Sequence, residues 1–321
     1  MSDRALLARL CRGPASGAEL ARELGITRSA VWKRIEALRA AGVEVQAQPG
    51  RGYALAQPLQ LLDAATISAA LSPAARAELE ALAVLFETDS TNAVALREPA
   101  PGRGSRAWLA ERQTAGRGRR GREWASPLAA HVYLSLSRRF EGGVAALQGL
   151  GLAVAVAAVE ALHSLGYSQV GLKWPNDLLA DGRKLGGILV EVGGEAGGPL
   201  RVVVGLGLNV VMPAAAARGI DQPWCDLASL SGSPPSRPAV CVALLDALLP
   251  MLARFEREGL APFQAGWARH DLLAGRAVRL AEGGRVHEGV AMGIAGDGAL
   301  RLRHDDGERR YHAGEASLRA A

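Results

Sequence analysis

Apolar positions fall at helical spacing through the first part of the chain and then switch to alternation. A first amphipathic stretch runs around Asp3 to Leu10 and is closed by Gly13-Pro14; Ser16 with Glu19 makes a capping box for a second, which ends at Gly25. A third begins with Thr27 as N-cap and runs to Ala41, with Gly42 as its C-cap and Val31, Ile35 and Leu38 as its core face. Val43 to Gln48 then alternates as a strand, turns over Pro49-Gly50-Arg51-Gly52 and returns through Tyr53-Ala54-Leu55. Three helices and a hairpin in this order predict a winged helix-turn-helix, with the third helix as reader and the hairpin as wing. The outward face of that helix carries Arg28, Ser29, Trp32, Lys33 and Arg39, and Arg51 sits at the tip of the wing. A small helical interaction module with merely solvated charges is the plainer alternative.

Gln57-Pro58 marks a linker, and a first boundary falls near residue 62, before Asp63 caps the next helix. The pattern then mixes the two periods. It predicts a helix opened by Ser72-Pro73, a strand from Ala83 to Glu87, a helix opened by Asp89-Ser90-Thr91-Asn92, and strands over 106–113 and Val132 to Arg138. A long buried helix over Val144 to Leu165 follows. Val170 to Trp174, a hairpin turning on Asp181-Gly182 with Ile188 to Val192 as its return, and Arg201 to Val211 read as further strands. Helices from Pro238 to Glu258 and through Trp267 close this region. Regular βαβ alternation is absent, so the fold class is α+β with an antiparallel or mixed sheet. Beyond residue 273, short strands punctuated by Gly283-Gly284, Asp297-Gly298 and Asp306-Gly307 predict a small β-barrel with no obvious chemistry of its own. Three domains are expected, at 1–62, 63–272 and 273–321.

Composition narrows the partners. The net charge of +5 is unevenly placed: residues 1–62 hold nine Lys/Arg against five Asp/Glu, Arg112 to Arg122 add five more positive charges, and the remainder is net acidic. Two basic features imply two anionic partners. The most apolar segment, Gly149 to Val159, falls short of the roughly 20 apolar residues that span a bilayer, so no membrane is expected. With no signal-peptide core, and Cys11, Cys225 and Cys241 unpaired in spacing, a cytoplasmic setting is expected. The six histidines show no metal-ligand spacing.

The second basic feature is the stretch Gln113 to Trp124, where glycine and arginine alternate. Gly116, Gly118 and Gly121 permit positive φ and close approach to a ligand, and Arg117, Arg119, Arg120 and Arg122 offer planar forks for phosphate or carboxylate. Taken alone it is equally a solvated basic loop or a disordered segment touching nucleic acid. Four other clusters lie at strand ends or turns: Asp89 to Asn92, Lys173-Trp174-Pro175-Asn176-Asp177, Lys184 to Glu191, and Gly205-Leu206-Gly207-Leu208-Asn209. Each has a bland reading, Ser90 as a helix cap and Lys184 as a surface charge among them. No GxxxxGK[ST] is present, so any nucleotide is held in another way.

In this order the clusters resemble those of the bifunctional biotin–protein ligases that double as biotin operon repressors, over essentially the whole chain. The resemblance implies a catalytic domain like that of class II aminoacyl-tRNA synthetases and an SH3-like C-terminal domain. It implies a two-step reaction: biotin and MgATP give biotinyl-5′-adenylate, and a lysine of the biotin carboxyl carrier protein of acetyl-CoA carboxylase then takes the biotinyl group. By that similarity, Arg119, Lys184 and Asp177 are the catalytic candidates. Ser90, Thr91, Asn92, Gln113, Gly116, Arg117, Arg119, Trp124, Lys184, Gly187, Leu189, Gly205 and Gly207 would hold biotin. Arg117, Arg119, Arg120, Arg122, Trp124, Asn176, Lys184 and Asn209 would hold ATP, with Mg2+ entering alongside it on ligands that the sequence does not identify, and Trp224 is a weaker candidate for covering the adenine. Arg28, Ser29, Trp32, Lys33 and Arg51 would contact operator DNA, bound by a homodimer that forms with adenylate. A small-molecule-sensing transcription factor without turnover, or a lipoate-type ligase, are the alternatives.

Overall fold

The computed structural model describes residues 3–48, 50–193, 199–314 and 317–320; Pro49 of the wing turn lies outside them. The N-terminal domain is α1 (Asp3–Leu10), α2 (Gly17–Leu24), α3 (Arg28–Ala40) and the antiparallel pair β1 (Val45–Gln48) and β2 (Gly52–Leu55). Ser16 and Glu19 form both bonds of the capping box, and Thr27 accepts from the Ala30 amide. Val31, Ile35 and Leu38 are buried in the domain core. Arg39 leaves the reading face: its guanidinium donates to the Val45 carbonyl at 2.9 and 2.7 Å and pairs with Glu36, stapling α3 to the wing. Trp32 is 55% exposed and stands clear of that core.

The central domain contains α4 (Ala64–Ala70), α5 (Pro73–Glu78), β3 (Leu79–Leu85), α6 (Thr91–Arg97), β4 (Ser105–Ala110) and β5 (Val132–Phe140). It continues through α7 (Leu150–Ser164), β6 (Gly171–Lys173), β7 (Asp177–Ala180), β8 (Arg183–Gly193) and β9 (Leu200–Leu208). Then come α8 (Ala214–Ala217), α9 (Leu227–Ser231), α10 (Arg237–Glu258) and α11 (Gln264–His270). The strands make one mixed seven-stranded sheet, in the order β3-β4-β5-β9-β8-β7-β6, in which β3 and β4 are the parallel pair. Strand alternation sorts its faces. Val132, Leu134, Leu136, Ile188, Val202, Val204, Leu206 and Leu208 belong to a core shared with α7 and α10. Tyr133, Ser135, Gly187, Leu189, Glu191, Gly205 and Gly207 therefore face the other way, toward α6 and the Gly/Arg loop.

The long apolar helix is shorter than its sequence suggests. Val144–Leu147 is a 3-10 turn, and Gly149 (φ 77°) breaks the run before α7 begins, with Leu260 filling the space that a side chain there would need. By length and composition alone, Val144–Ser164 and Arg237–Glu258 could cross a membrane. In the fold they pack on each other in the core of the central domain. Strand β8 begins at Arg183, earlier than expected, and so carries Lys184 within the sheet, while β3 ends before Phe86.

The C-terminal strands β10 (Ala277–Glu282), β11 (Arg285–Ile294), β12 (Leu300–His304), β13 (Gly307–Tyr311) and β14 (Ser317–Ala320) form a five-stranded antiparallel sheet. Trp174 ties the central domain to it by donating Nε1–H to the Gly298 carbonyl at 3.2 Å.

Two junctions join the N-terminal and central domains. Glu111 and Arg237, 2% and 6% exposed, pair at 2.7 Å, and Arg237 also donates to the carbonyls of His131 and Gln60. Glu111 accepts from the Leu62 amide, so the end of the linker is bound to a buried charge pair. Farther on, the Leu128 amide donates to the Ala41 carbonyl at the end of α3, and Leu128 and Ala129 are buried in the N-terminal core. Ala129 holds φ 56°, a left-handed conformation costly for a residue with a Cβ.

Candidate active site

The site lies on the sheet face away from α7, where β5, β8 and β9 meet the start of α6. Gly205 pairs with Ser135 and Leu189, and Gly207 pairs with Tyr133 and Gly187, so the two glycines, with Ser135 and Gly187 beside them, leave a trough between the larger Tyr133 and Leu189. Side chains from outside the sheet fill part of it. A Cβ on Gly205 would lie 2.4 Å from Asn92 Oδ1, and one on Gly207 would lie 2.5 Å from the Trp124 ring. The glycines in β9 thus admit two side chains, and the ligand space lies above these. Trp124 also buries its Nε1–H without a partner among the described residues, a polar atom on the pocket wall awaiting an acceptor.

Ser90 occupies the N-cap of α6, yet its hydroxyl makes no cap hydrogen bond, and it is buried at the pocket. A cap that does not cap leaves a donor and acceptor for a ligand. Thr91 donates to Gln113 Oε1 from both its amide (2.9 Å) and its hydroxyl (3.1 Å), and Gln113 donates in turn to Ser126. Leu189, Gly187 and the Trp124 ring complete the apolar wall of a cavity of about 130 Å3. A second cavity, of about 540 Å3, adjoins it, with Arg122, Trp124 and Lys184 bordering both. The first suits a small flat group and the second a larger one.

Cations gather at that border. Lys184 Nζ and Lys173 Nζ each lie 2.8 Å from an oxygen of Asp177, and Lys184 also sits 5.6 Å from the centre of the Trp124 ring. Burial by itself would raise the Asp177 carboxyl; the two lysine charges outweigh it and hold the group below the usual range. Arg119 donates to Asn176 Oδ1 at 3.2 Å and to the carbonyls of Ala313 and Gly314. Burial lowers its guanidinium pKa, opposed by the Asp177 charge. Arg117 pairs with Glu191 at 3.2 Å, and Arg120 and Arg122 also line the first cavity.

The structure places the remaining residues as follows. Of the loop glycines, Gly121 takes positive φ (69°), and the other left-handed position belongs to Arg120 (61°). Gly116 lies behind the pocket wall, where Ser126 and the Trp124 carbonyl leave no room for a Cβ and its own carbonyl accepts from the Trp124 amide. Asn209 borders only the second cavity, and its amide group donates to the carbonyls of Lys184 and Cys225. Trp224 lines that same cavity. The C-terminal domain does reach the candidate site, through the carbonyls of Ala313 and Gly314 beyond β13 and through the pocket-lining Leu318 of β14. Lys173, Tyr133, Ser135 and Glu191 at or beneath the site had no assigned role from sequence. Lys173 stood within a recognised cluster, so the pattern Lys-x-x-x-Asp was the available signal.

Comparison with known proteins agrees with this geometry. Residues 87–209 match the Biotin/lipoate A/B protein ligase family, residues 4–54 an HTH domain, and residues 274–319 the Biotin protein ligase C terminal domain. The chain is 40% identical over 306 residues to the bifunctional ligase/repressor BirA of Escherichia coli, covering 95% of this chain and 93% of that protein. It is 36% identical to the biotin–[acetyl-CoA-carboxylase] ligase of Paracoccus denitrificans, over 72% of this chain and 98% of the relative. The biotin protein ligase from Aquifex aeolicus, solved in complex with biotin and ATP, superposes with a TM-score of 0.64 at 25% identity, over 75% of this chain and all of that one. With its central domain, its helix-turn-helix and its C-terminal domain all matched, the chain belongs to the family of bifunctional biotin protein ligase/repressors.

Proposed function

We propose that this chain activates biotin with ATP and transfers it to a lysine of the biotin carboxyl carrier protein of acetyl-CoA carboxylase, and that it represses transcription in response to biotin. The observation that carries the reading is the pair of adjoining cavities with Lys184 and Trp124 at their border. The biotin ring system enters the smaller cavity, where Ser90, Thr91 and Gln113 meet its ureido group and Leu189, Gly187 and Trp124 its apolar faces. Its carboxylate then points at the border, and ATP occupies the larger space with its α-phosphate beside Lys184. The carboxylate oxygen attacks phosphorus, pyrophosphate leaves, and the mixed anhydride remains. Arg117, Arg119 and Lys184 offset the repulsion between two anions and the charge gathering on the phosphoryl oxygens.

Asp177 holds Lys184 and Lys173 in place before the reaction. When Lys184 turns to phosphate, one carboxylate oxygen is released, and we assign it to the ammonium of the incoming carrier lysine, whose proton must leave from a pKa near 10.4. Among the described residues no group of three His, Cys, Asp or Glu could hold a metal ion. Magnesium, which commonly rests on phosphate oxygens with one or two protein ligands, would come as part of MgATP. A cytoplasmic setting follows from the substrates.

The direct test incubates the purified chain with ATP, biotin and carrier protein. Biotin on the carrier lysine and pyrophosphate in solution are expected; a chain that binds biotin but releases no pyrophosphate would be a sensor only, and labelling by lipoate in preference to biotin would move it to the other ligase class. For regulation, adenylate orders the Gly/Arg loop and favours a homodimer whose two α3 helices and wings meet two operator half-sites through Arg28, Ser29, Trp32, Lys33 and Arg51. A mobility-shift titration in which biotin plus ATP leaves operator affinity unchanged would remove that part.

Gly207→Ala probes the trough. Its Cβ would meet the Trp124 ring at 2.5 Å, and a ring wedged against Lys184 and Gly187 has little room to retreat. Overpacking of this kind typically costs about 1–3 kcal/mol, so biotin binding is expected to weaken roughly tenfold, with a change in tryptophan fluorescence. Unchanged affinity in a titration calorimeter would place biotin elsewhere.

A further inference from the structure

A polar chain runs beneath the pocket, and both of its ends lie on the Gly/Arg loop. Gln113 Oε1 accepts from Thr91; Ser135 Oγ lies 2.7 Å from Thr91 Oγ1 and 2.5 Å from Asn92 Oδ1; Asn92 Nδ2 donates to Glu191 Oε2 at 2.8 Å; and Glu191 pairs with Arg117. Thr91, Asn92 and Ser135 are buried, and Gly205 keeps open the space that the Asn92 amide fills. Gln113 anchors the loop where it leaves β4, and Glu191 anchors it again four residues later. Glu191 does not itself line the cavity, so what it does to a ligand it does through Arg117.

We propose that Glu191 is a positioning residue, the tether that holds Arg117 over the pocket mouth and thereby sets how long the activated intermediate is retained. The proposal rests on the ligase reading above. Two effects of the carboxylate oppose each other: its charge repels an anionic ligand, while its grip on Arg117 keeps the loop closed. The pair is partly exposed, with side chains 46% and 23% accessible, and Arg117 lines the pocket while Glu191 does not. The repulsion is therefore screened and largely neutralised by the arginine itself. The grip is left as the larger effect, because Glu191 is itself fixed by Asn92 and brings a rigid anchor to an otherwise mobile side chain.

The test compares the full chain with Glu191→Gln, which still accepts from Asn92 but carries no charge for Arg117. Adenylate is formed from biotin, ATP and pyrophosphatase, isolated on the protein, and its release is followed by capture on free hydroxylamine. Release is expected to be about threefold to fivefold faster in Glu191→Gln, the size of one partly exposed ion pair, with the melting temperature within experimental error of the parent. Glu191→Asp, which keeps the charge on a shorter arm, should fall between. In an Arg117→Gln background, Glu191→Gln should add nothing further. Equal or slower release from Glu191→Gln, or an unchanged acceleration in the Arg117→Gln background, would overturn the tether. A parent chain that forms no adenylate would overturn the ligase reading and the tether with it, a result distinct from either of those.

Discussion

Lys184→Gln is expected to slow adenylate formation about a hundredfold to a thousandfold, the usual loss when one preorganised donor to a charged transition state is removed. The side chain is held by Asp177 at 2.8 Å and lies over the face of Trp124, so its ammonium already stands at the border of the two cavities and has only to turn from carboxylate to phosphate. Glutamine keeps the length approximately and removes the charge. The fold should tolerate this, because Lys173 remains on the other Asp177 oxygen and the backbone amide of Lys184 stays bonded to the Pro223 carbonyl. The measurement is single-turnover pyrophosphate release at saturating biotin and ATP, set beside a thermal melt. A loss below tenfold would show that the arginines carry the phosphate without Lys184. A large fall in melting temperature would assign the defect to folding instead.

The largest effect on stability is expected at Arg237. Its guanidinium lies almost wholly inside the protein, paired with Glu111 and donating to the carbonyls of His131 and Gln60. Arg237→Met would leave the Glu111 carboxylate buried with only the Leu62 amide as partner, and two carbonyls without donors. Breaking a buried pair from one side typically costs about 3–5 kcal/mol, much of a domain's whole stability. Urea unfolding should show that shift for the single variant and partial recovery for Arg237→Met combined with Glu111→Gln, since the second change removes the uncompensated charge. A single variant within about 1 kcal/mol of the parent would mean that water reaches the pair. Because Gln60 and Leu62 hang from the same two side chains, the single variant should also free the linker to proteases.

How much of this the sequence disclosed depends on the range of the interaction. Caps and alternation are local, so the helix-turn-helix was legible from Ser16, Thr27 and the face of Val31, Ile35 and Leu38, and strands β5 and β9 from the runs Val132 to Arg138 and Arg201 to Val211. Local signals also misled. The apolar run from Val144 gives no hint that Leu260, over a hundred residues away, occupies the space beside Gly149 and that the helix starts only afterwards. Glycines 205 and 207 announced a close approach, but whether ligand or side chain approaches depends on where α6 and the Gly/Arg loop fold back. Ser135 carried no signal beyond its type and Glu191 closed a recognised cluster without a role, because their partners Asn92 and Arg117 are brought to them by the fold and not by spacing. Asn209 looked available for a nucleotide, and only the path of the Cys225 segment reveals that its amide is engaged.

The segment 126–129 has a mechanical meaning. Ser126 bonds to Gln113 in the pocket, Leu128 bonds to Ala41 at the end of the reading helix, and Ala129 follows in a left-handed conformation with its amide on the Glu111 carbonyl. Four residues thus span from the candidate pocket to the end of α3, too short a stretch to absorb a displacement at one end without passing it to the other. Binding thermodynamics then requires a two-way relation: by whatever factor adenylate tightens the grip on operator DNA, the operator must tighten the grip on adenylate. A chain seated on its operator should therefore be the slowest to surrender its adenylate to the carrier protein, and chasing bound adenylate with carrier in the presence and absence of operator duplex would measure that factor directly.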